Sequence, residues 1–151
     1  MQRDEMHIDS RIDRLATECR RANMRVTPQR LEIFRELLKS DDHPAVETLY
    51  QRVRKRQPTL SLDTLYRTLA TLESAGLVSR VGSLTGIARF EANMTPHDHF
   101  LCVTCGKIAD IPGPNRQDMV DQVELPEGYE VQCLQLELRG ICAECAVPQE
   151  A

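Results

Sequence analysis

The sequence predicts an α+β chain in two parts. Residues 1–90 read as helices closed by a β-hairpin, and residues 91–151 as a smaller α/β part built on a three-stranded antiparallel sheet. Three observations predict it. The front part repeats apolar residues at helical spacing before any strand-like run appears. Proline, glycine and capping residues cut that pattern into separate helices. The back part alternates apolar and polar residues and carries two Cys-x-x-Cys pairs, Cys102/Cys105 and Cys142/Cys145.

Residues 8–22 place Ile8, Ile12, Leu15 and Cys19 on one helical stripe, so Cys19 reads as a small buried hydrophobe without a function. Thr27-Pro28 starts the next helix, with Thr as N-cap and Pro at the first helical position, and Leu31, Phe34, Leu37 and Leu38 turn inward. His43-Pro44 breaks the chain. Residues 45–56 then form a third helix with Val46, Leu49, Tyr50 and Val53 inward. After Pro58, Ser61 caps a fourth helix with Asp63 in its first turn, where the helix dipole favours an anion. Leu62, Leu65, Leu69 and Leu72 form its apolar stripe, and Gly76 ends it. The strand-like runs 77–82 and 86–92 form a hairpin around Ser83-Leu84-Thr85-Gly86. This is the layout of a winged helix-turn-helix.

In the back part, Lys107–Ile111 forms a second strand after the one that carries His97 and His99. Residues 114–124 form a short helix with Met119, Val120 and Val123 inward, and residues 130–141 a third strand. There Leu134, Leu136 and Leu138 share one face, opposite Gln135, Glu137 and Arg139. A sheet of three strands with one apolar face is too small to stand alone and is expected to pair with a second copy.

Hydrophobic content of 41% with 28% charge belongs to a globular protein rather than a disordered one. No apolar run can span a bilayer, and the N-terminus has no secretory core, so a cytoplasmic protein is expected. In that compartment paired cysteines point to metal or redox chemistry. The net charge of −4 hides an asymmetry: residues 1–90 hold 16 Lys/Arg against 12 Asp/Glu, and residues 91–151 hold 3 against 11. A basic front on an acidic back suits a nucleic-acid-binding module joined to a cation-binding one. Chance segregation of surface charge gives the same sums.

The outward face of the fourth helix carries Thr64, Tyr66 and Arg67, with Ser61 at its start. Arg can donate bidentately to guanine, Thr bonds either way, and Tyr packs on a thymine methyl or bonds a phosphate. Arg25, Gln29 and Arg30 near the second helix, with Arg80 and Arg89 on the hairpin, would add phosphate contacts. On pattern alone, solvated charges on a helical bundle explain the same residues.

Four thiolates make a closed tetrahedral shell for Zn²⁺, and each Cys-x-x-Cys turn points two sulfurs at one ion. Gly106 and Gly140 beside the pairs allow tight turns. A pair of redox disulfides, a zinc-ribbon thiol switch, is the competing reading. Cys133 has no partner at ligand spacing. His97 and His99 lie at i, i+2 and share a strand face, whereas Phe100 and Cys102 fall on the other phase. That favours two separate metals over one mixed cluster. Only four histidines occur in the chain, and these two sit near Glu91, Asp98 and Asp110. A closed cysteine shell and the absence of His-Glu-x-x-His argue against a zinc hydrolase, and no enzyme activity is expected.

Taken together, RVTPQR (25–30), HP (43–44), TLYRTL (64–69), AGLV (75–78), RFE (89–91), HDHFLCVTCGKI (97–108) and ICAEC (141–145) resemble the ferric uptake regulator family of metal-dependent repressors. The resemblance runs from about Arg25 to Cys145. It implies a winged-helix DNA-binding domain over 1–90, a dimerisation and metal-binding domain over 91–151, and a homodimer on a pseudo-palindromic operator. It further implies structural zinc on Cys102, Cys105, Cys142 and Cys145, and regulatory Fe²⁺ or Mn²⁺ on His43, Glu91, His97, His99 and Asp110. Three neutral imidazoles and two carboxylates balance a divalent ion, and a mixed N/O shell suits iron or manganese. Asp110 is the residue of the peroxide-responsive branch, and Glu91 is that of iron sensors. The absence of histidine beyond His99 and the presence of Asp110 favour peroxide sensing, in which bound Fe²⁺ leads to oxidation of His43 or His97. An iron-responsive or other metal sensor is the alternative.

Overall fold

The computed structural model describes residues 5–21, 23–82, 84–113, 116–132 and 134–147. The chain divides into two compact units, 1–94 and 95–151.

The first unit begins with α1 (Glu5–Arg21), α2 (Pro28–Lys39), α3 (Val46–Arg54) and α4 (Leu62–Ser74), followed by a hairpin of β1 (Ser79–Val81) and β2 (Arg89–Glu91). Thr27 caps α2: its hydroxyl accepts from the Arg30 N–H at 3.3 Å, and Pro28 takes the first helical position. Ser61 caps α4 in the same way, accepting from the Thr64 N–H at 3.1 Å. One core fills the space between the helices. Leu15, Ile33, Phe34, Leu37, Leu49, Val53, Leu65 and Leu72 are fully buried there, each contributing roughly 1.5–3 kcal/mol. Cys19 lies in that core, and burial pushes its thiol pKa up, as suits an inert small hydrophobe.

Two details differ from the pattern. Leu62 is exposed at the start of α4, while Thr68 is buried because it follows Leu65 by three residues and precedes Leu72 by four, on the same helix face. Ile33, one residue before Phe34, is fully buried along with Phe34, Leu37 and Leu38, whereas Leu31, the fourth position that spacing indicates on α2, is only partly covered. The carboxylate of Glu32 is also buried, and it is matched by Arg56, which bridges Glu32 and Glu36 from beyond the end of α3.

The hairpin pairs Ser79 with Glu91 and Arg80 with Phe90. β2 is also held on its other side by an Ala45–Arg89 bridge, with the Phe90 N–H donating to the Pro44 carbonyl at 3.2 Å. Arg11 of α1 reaches the Ala92 carbonyl at 2.6 Å. Ser83 lies outside the described residues.

The second unit contains β3 (Asp98–Cys102), β4 (Ile108–Ile111), α5 (Arg116–Val120), β5 (Glu137–Gly140) and α6 (Ala143–Ala146). Its sheet has the order β4-β3-β5. β3 and β4 pair antiparallel as expected, but β5 runs parallel to β3, with His99 opposite Glu137 and Cys102 opposite Gly140. The sheet is therefore mixed, not antiparallel. The physical reason lies in the connection. A tight turn can only return β4 antiparallel, whereas the long segment through α5 brings the chain back to the start of β3 on its free edge. β5 is also shorter than the run 130–141, and Leu138 on it is exposed. α5 is a five-residue helix with no fully buried side chain, and Val123 beyond it is exposed rather than inward. Pro114, Asn115 and Cys133 fall outside the described residues.

Candidate metal centres and a candidate nucleic-acid face

The four cysteines come together at one end of the second unit. Their Sγ atoms lie within 4.8 Å of one another, and Cys105 Sγ is 3.8 Å from Cys142 Sγ. A tetrahedron with Zn–S bonds of about 2.3 Å places its sulfurs about 3.8 Å apart, so the cluster fits zinc. Parallel pairing of β3 and β5 produces this meeting, because the first knuckle leaves β3 and the second leaves β5 from the same end of the sheet. Antiparallel pairing would separate them by the length of the strands, roughly 13 Å at 3.3 Å per residue. Gly106 turns the first knuckle with φ 75°, and its N–H donates to the Cys102 carbonyl at 2.9 Å. Gly140 serves a different purpose from a turn. A Cβ there would lie 3.0 Å from the Phe100 ring, so its lack of a side chain lets β5 lie against β3.

The thiols do not titrate alike. Backbone N–H groups of Cys105 and Cys142 bring Cys102 down to about 6, and the Cys142 N–H lies 3.4 Å from its sulfur. Cys145 is pushed up to about 12 by the sulfurs of Cys142 and Cys105 and by burial. The Lys107 N–H lowers Cys105, but the adjoining sulfurs and burial outweigh it and its pKa rises. Four sulfurs this close cannot all ionise without a cation between them, which is the demand of a metal site. Lys107 Nζ and Glu144 Oε1 pair at 2.6 Å across the two knuckles.

A second cluster forms on the opposite strand phase. His99 faces Asp110 directly across the β3–β4 ladder. His97 Nε2 lies 3.0 Å from His99 Nε2, and Asp110 Oδ1 lies 3.5 Å and 3.6 Å from the two. The rings meet edge to face at 4.7 Å between centroids. Bonds of about 2.1 Å at right angles set ligand atoms about 3 Å apart, so these three atoms can share one cation. His97 Nδ1 lies 2.6 Å from the Thr95 carbonyl and donates to it, which leaves the Nε2 lone pair for a metal. Asp98 is turned away, buried against Arg116.

The first unit holds its own pair. His43 Nε2 and Glu91 Oε2 lie 3.2 Å apart, both buried. Ser79 Oγ donates to the other carboxylate oxygen, Glu91 Oε1, at 3.1 Å. Ser79 went unnoticed in the sequence because only the strand register makes it the partner of Glu91. His43 has φ 49°, although a residue before proline ordinarily takes an extended φ. That conformation costs about 1–3 kcal/mol. It is held by Arg89, which donates to the His43 carbonyl at 3.3 Å.

Also in the first unit, Gln29, Arg30, Thr64 and Arg67 line a common cavity of about 430 Å³ together with Thr27 and Gln57. Tyr66 is exposed but does not line that cavity, and Arg30 donates to the Arg25 carbonyl at 2.5 Å. Arg67 pairs with Asp63 one turn earlier, and Ser61 is engaged as the cap of α4. Of the two hairpin arginines, Arg80 pairs with Glu73 at 3.2 Å, and Arg89 is directed at His43.

Among the described residues, no helix is long and apolar enough to cross a membrane. Residues 21–139 match the ferric uptake regulator family. The chain is 30% identical over 138 residues to the peroxide-responsive repressor PerR of Staphylococcus epidermidis, covering 91% of this chain and 92% of that one. Its fold is similar to that of the Helicobacter pylori ferric uptake regulator, which has three functional metal-binding sites. The TM-score is 0.75 and the identity 26%, over 91% of this chain and 93% of that one. A zinc-bound manganese uptake regulator shares 33% identity at a TM-score of 0.66, over 87% and 98% of the two chains. With four-fifths of its length matched, the chain belongs to the ferric uptake regulator family, whose members are transcriptional regulators and not enzymes.

Proposed function

We propose that this protein is a homodimeric, cytoplasmic repressor that binds a pseudo-palindromic operator when a regulatory Fe²⁺ or Mn²⁺ is bound, and that it answers peroxide. In this reading residues 1–90 form the DNA-binding domain and residues 91–151 the dimerisation and metal-binding domain. The observation that carries it is the division of ligands. His43 and Glu91 form a buried pair in the first unit, and His97, His99 and Asp110 converge in the second. An ion that draws on all five fixes one arrangement of the two units, and so favours the DNA-competent state in proportion to its preference for that arrangement.

The residues divide the work. Ser79 holds one oxygen of Glu91 and leaves the other for the ion. Thr95 sets the His97 tautomer. Cys102, Cys105, Cys142 and Cys145 hold zinc and close the small second unit. Exposed Tyr129, Val131, Leu138 and Ile141 supply the apolar surface that a second copy covers. Arg25, Gln29, Arg30, Ser61, Thr64, Tyr66 and Arg67 form the DNA-facing surface, with Arg67 exchanging Asp63 for a base edge. Held by His43, Glu91, His97, His99 and Asp110, an Fe²⁺ would supply the reducing chemistry that cleaves peroxide, and His43 or His97 would be the ligand exposed to oxidation.

Similarity to a peroxide-responsive repressor supports the peroxide reading, as does Asp110. Glu91 and the likeness to a manganese uptake regulator favour a plain iron or manganese sensor as the second reading. Operator binding measured with Fe²⁺ and with Mn²⁺, before and after micromolar peroxide, decides between them. Release from the iron form alone is expected, and indifference of both forms to peroxide selects the second reading.

A further inference from the structure

Asp98 is 3% exposed and lies between His97 and His99 on the opposite strand phase. A carboxylate that deep requires a cation or several donors. Arg116, the first residue of α5, provides both. Its Nη2 donates to Asp98 Oδ1 at 2.6 Å and to the His97 carbonyl at 2.9 Å, and its Nη1 donates to the Leu134 carbonyl. Gly113 makes room for this: a Cβ there would lie 2.6 Å from Asp98 Oδ2 and 3.2 Å from Arg116 Nη2. One guanidinium thus joins the start of β3, the turn after β4, α5 and the segment leading into β5. No side chain of α5 is fully buried, and this polar latch ties its first residue to β3 and to the segment before β5.

We infer that Arg116 is a positioning residue for His97. By fixing the His97 carbonyl and the neighbouring Asp98, it holds the imidazole where Nδ1 meets the Thr95 carbonyl and Nε2 faces His99 and Asp110. The inference rests on the proposed role of His97 as a metal ligand. A lysine at this place keeps the charge but cannot serve three acceptors with a planar fork, so it restores the function only in part.

The test uses the full-length, zinc-loaded protein and the variants Arg116→Gln, Arg116→Lys and Gly113→Ala, the last crowding the same pair without changing charge. Mn²⁺ affinity is measured by titration, and the ¹⁵N signals of the His97 ring are recorded with zinc bound but no Mn²⁺ added. Expected in Arg116→Gln is a loss of about 10–100-fold in Mn²⁺ affinity, with unchanged zinc content and a His97 signal that shifts from Nδ1-protonated to a tautomer mixture. Arg116→Lys and Gly113→Ala fall between this variant and the wild type. Wild-type affinity together with a wild-type His97 signal in folded Arg116→Gln overturns the inference. Should Arg116→Gln not fold, Asp98→Asn/Arg116→Gln removes both charges and is read by the same two outcomes. If the wild type itself binds no Mn²⁺, the proposed function fails, while the His97 signal still decides the role of Arg116.

Discussion

Single residues carry the chemistry here through what surrounds them. Cys102 is the sharpest case, since two backbone N–H groups bring its thiol from an ordinary 9.0 to about 6. The folded state therefore prefers its thiolate. That contribution to stability is complete above the unfolded value and is lost as pH falls from about 9 toward 6. Cys145 has the opposite sign: its raised pKa favours the thiol, a contribution present below 9.0 and lost as pH rises toward about 12. In zinc-stripped protein one thiolate should therefore form near pH 6, with Cys145 remaining a thiol through neutral pH. Ultraviolet thiolate absorbance followed against pH in the wild type and in Cys102→Ser checks this, and identical titrations of the two would contradict it. Arg67 makes a second residue-scale prediction. Arg67→Ala should weaken operator binding roughly tenfold to a hundredfold if it makes a bidentate base contact. Fluorescence anisotropy on operator DNA reads the loss, and unchanged affinity removes Arg67 from the base readout.

At the scale of elements, the sequence was most informative where structure is local. Thr27-Pro28 and Ser61 announce helix starts through caps that need only three or four residues, and both caps form. The Cys-x-x-Cys turns are legible for the same reason. What local pattern cannot carry is which strands meet and in which direction. The parallel pairing of β5, the Ser79–Glu91 partnership and the Arg116–Asp98 latch all depend on contacts across 12 to 40 residues. For that reason neither Ser79 nor Arg116 is legible in the sequence, whereas the resemblance to the family implies His43, Glu91, His97, His99 and Asp110. Gly140 gives a direct test of the pairing. In Gly140→Ala the added Cβ must displace Phe100 from its 3.0 Å approach. β5 should loosen and zinc transfer to a chromogenic chelator should accelerate, whereas wild-type transfer kinetics would show that the close approach is dispensable.

At the scale of the molecule, the two units differ in what sustains them. The first has a continuous core of leucine, isoleucine and phenylalanine. The second has few fully buried apolar residues among those described, with Leu101 and Ile108 inside its sheet and a run of exposed apolar side chains outside it. If the four cysteines hold zinc as proposed, its binding contributes to the folding free energy of the second unit. Scanning calorimetry should show the transition of the second unit falling steeply after chelation while that of the first barely moves. A single transition that shifts as a whole would mean that the units unfold together.

The parallel placement of β5 has one more consequence. β3 is the central strand, and β5 covers it with only four residues whose far end is tied down by the second knuckle. When the metal leaves, that short cover can peel off and expose a row of unpaired N–H and C=O groups flanked by exposed Leu138 and Ile141. Such an edge is a template on which a neighbouring chain can add its own strand. Zinc would then do more than hold one fold together: it would keep separate copies from growing into aggregates.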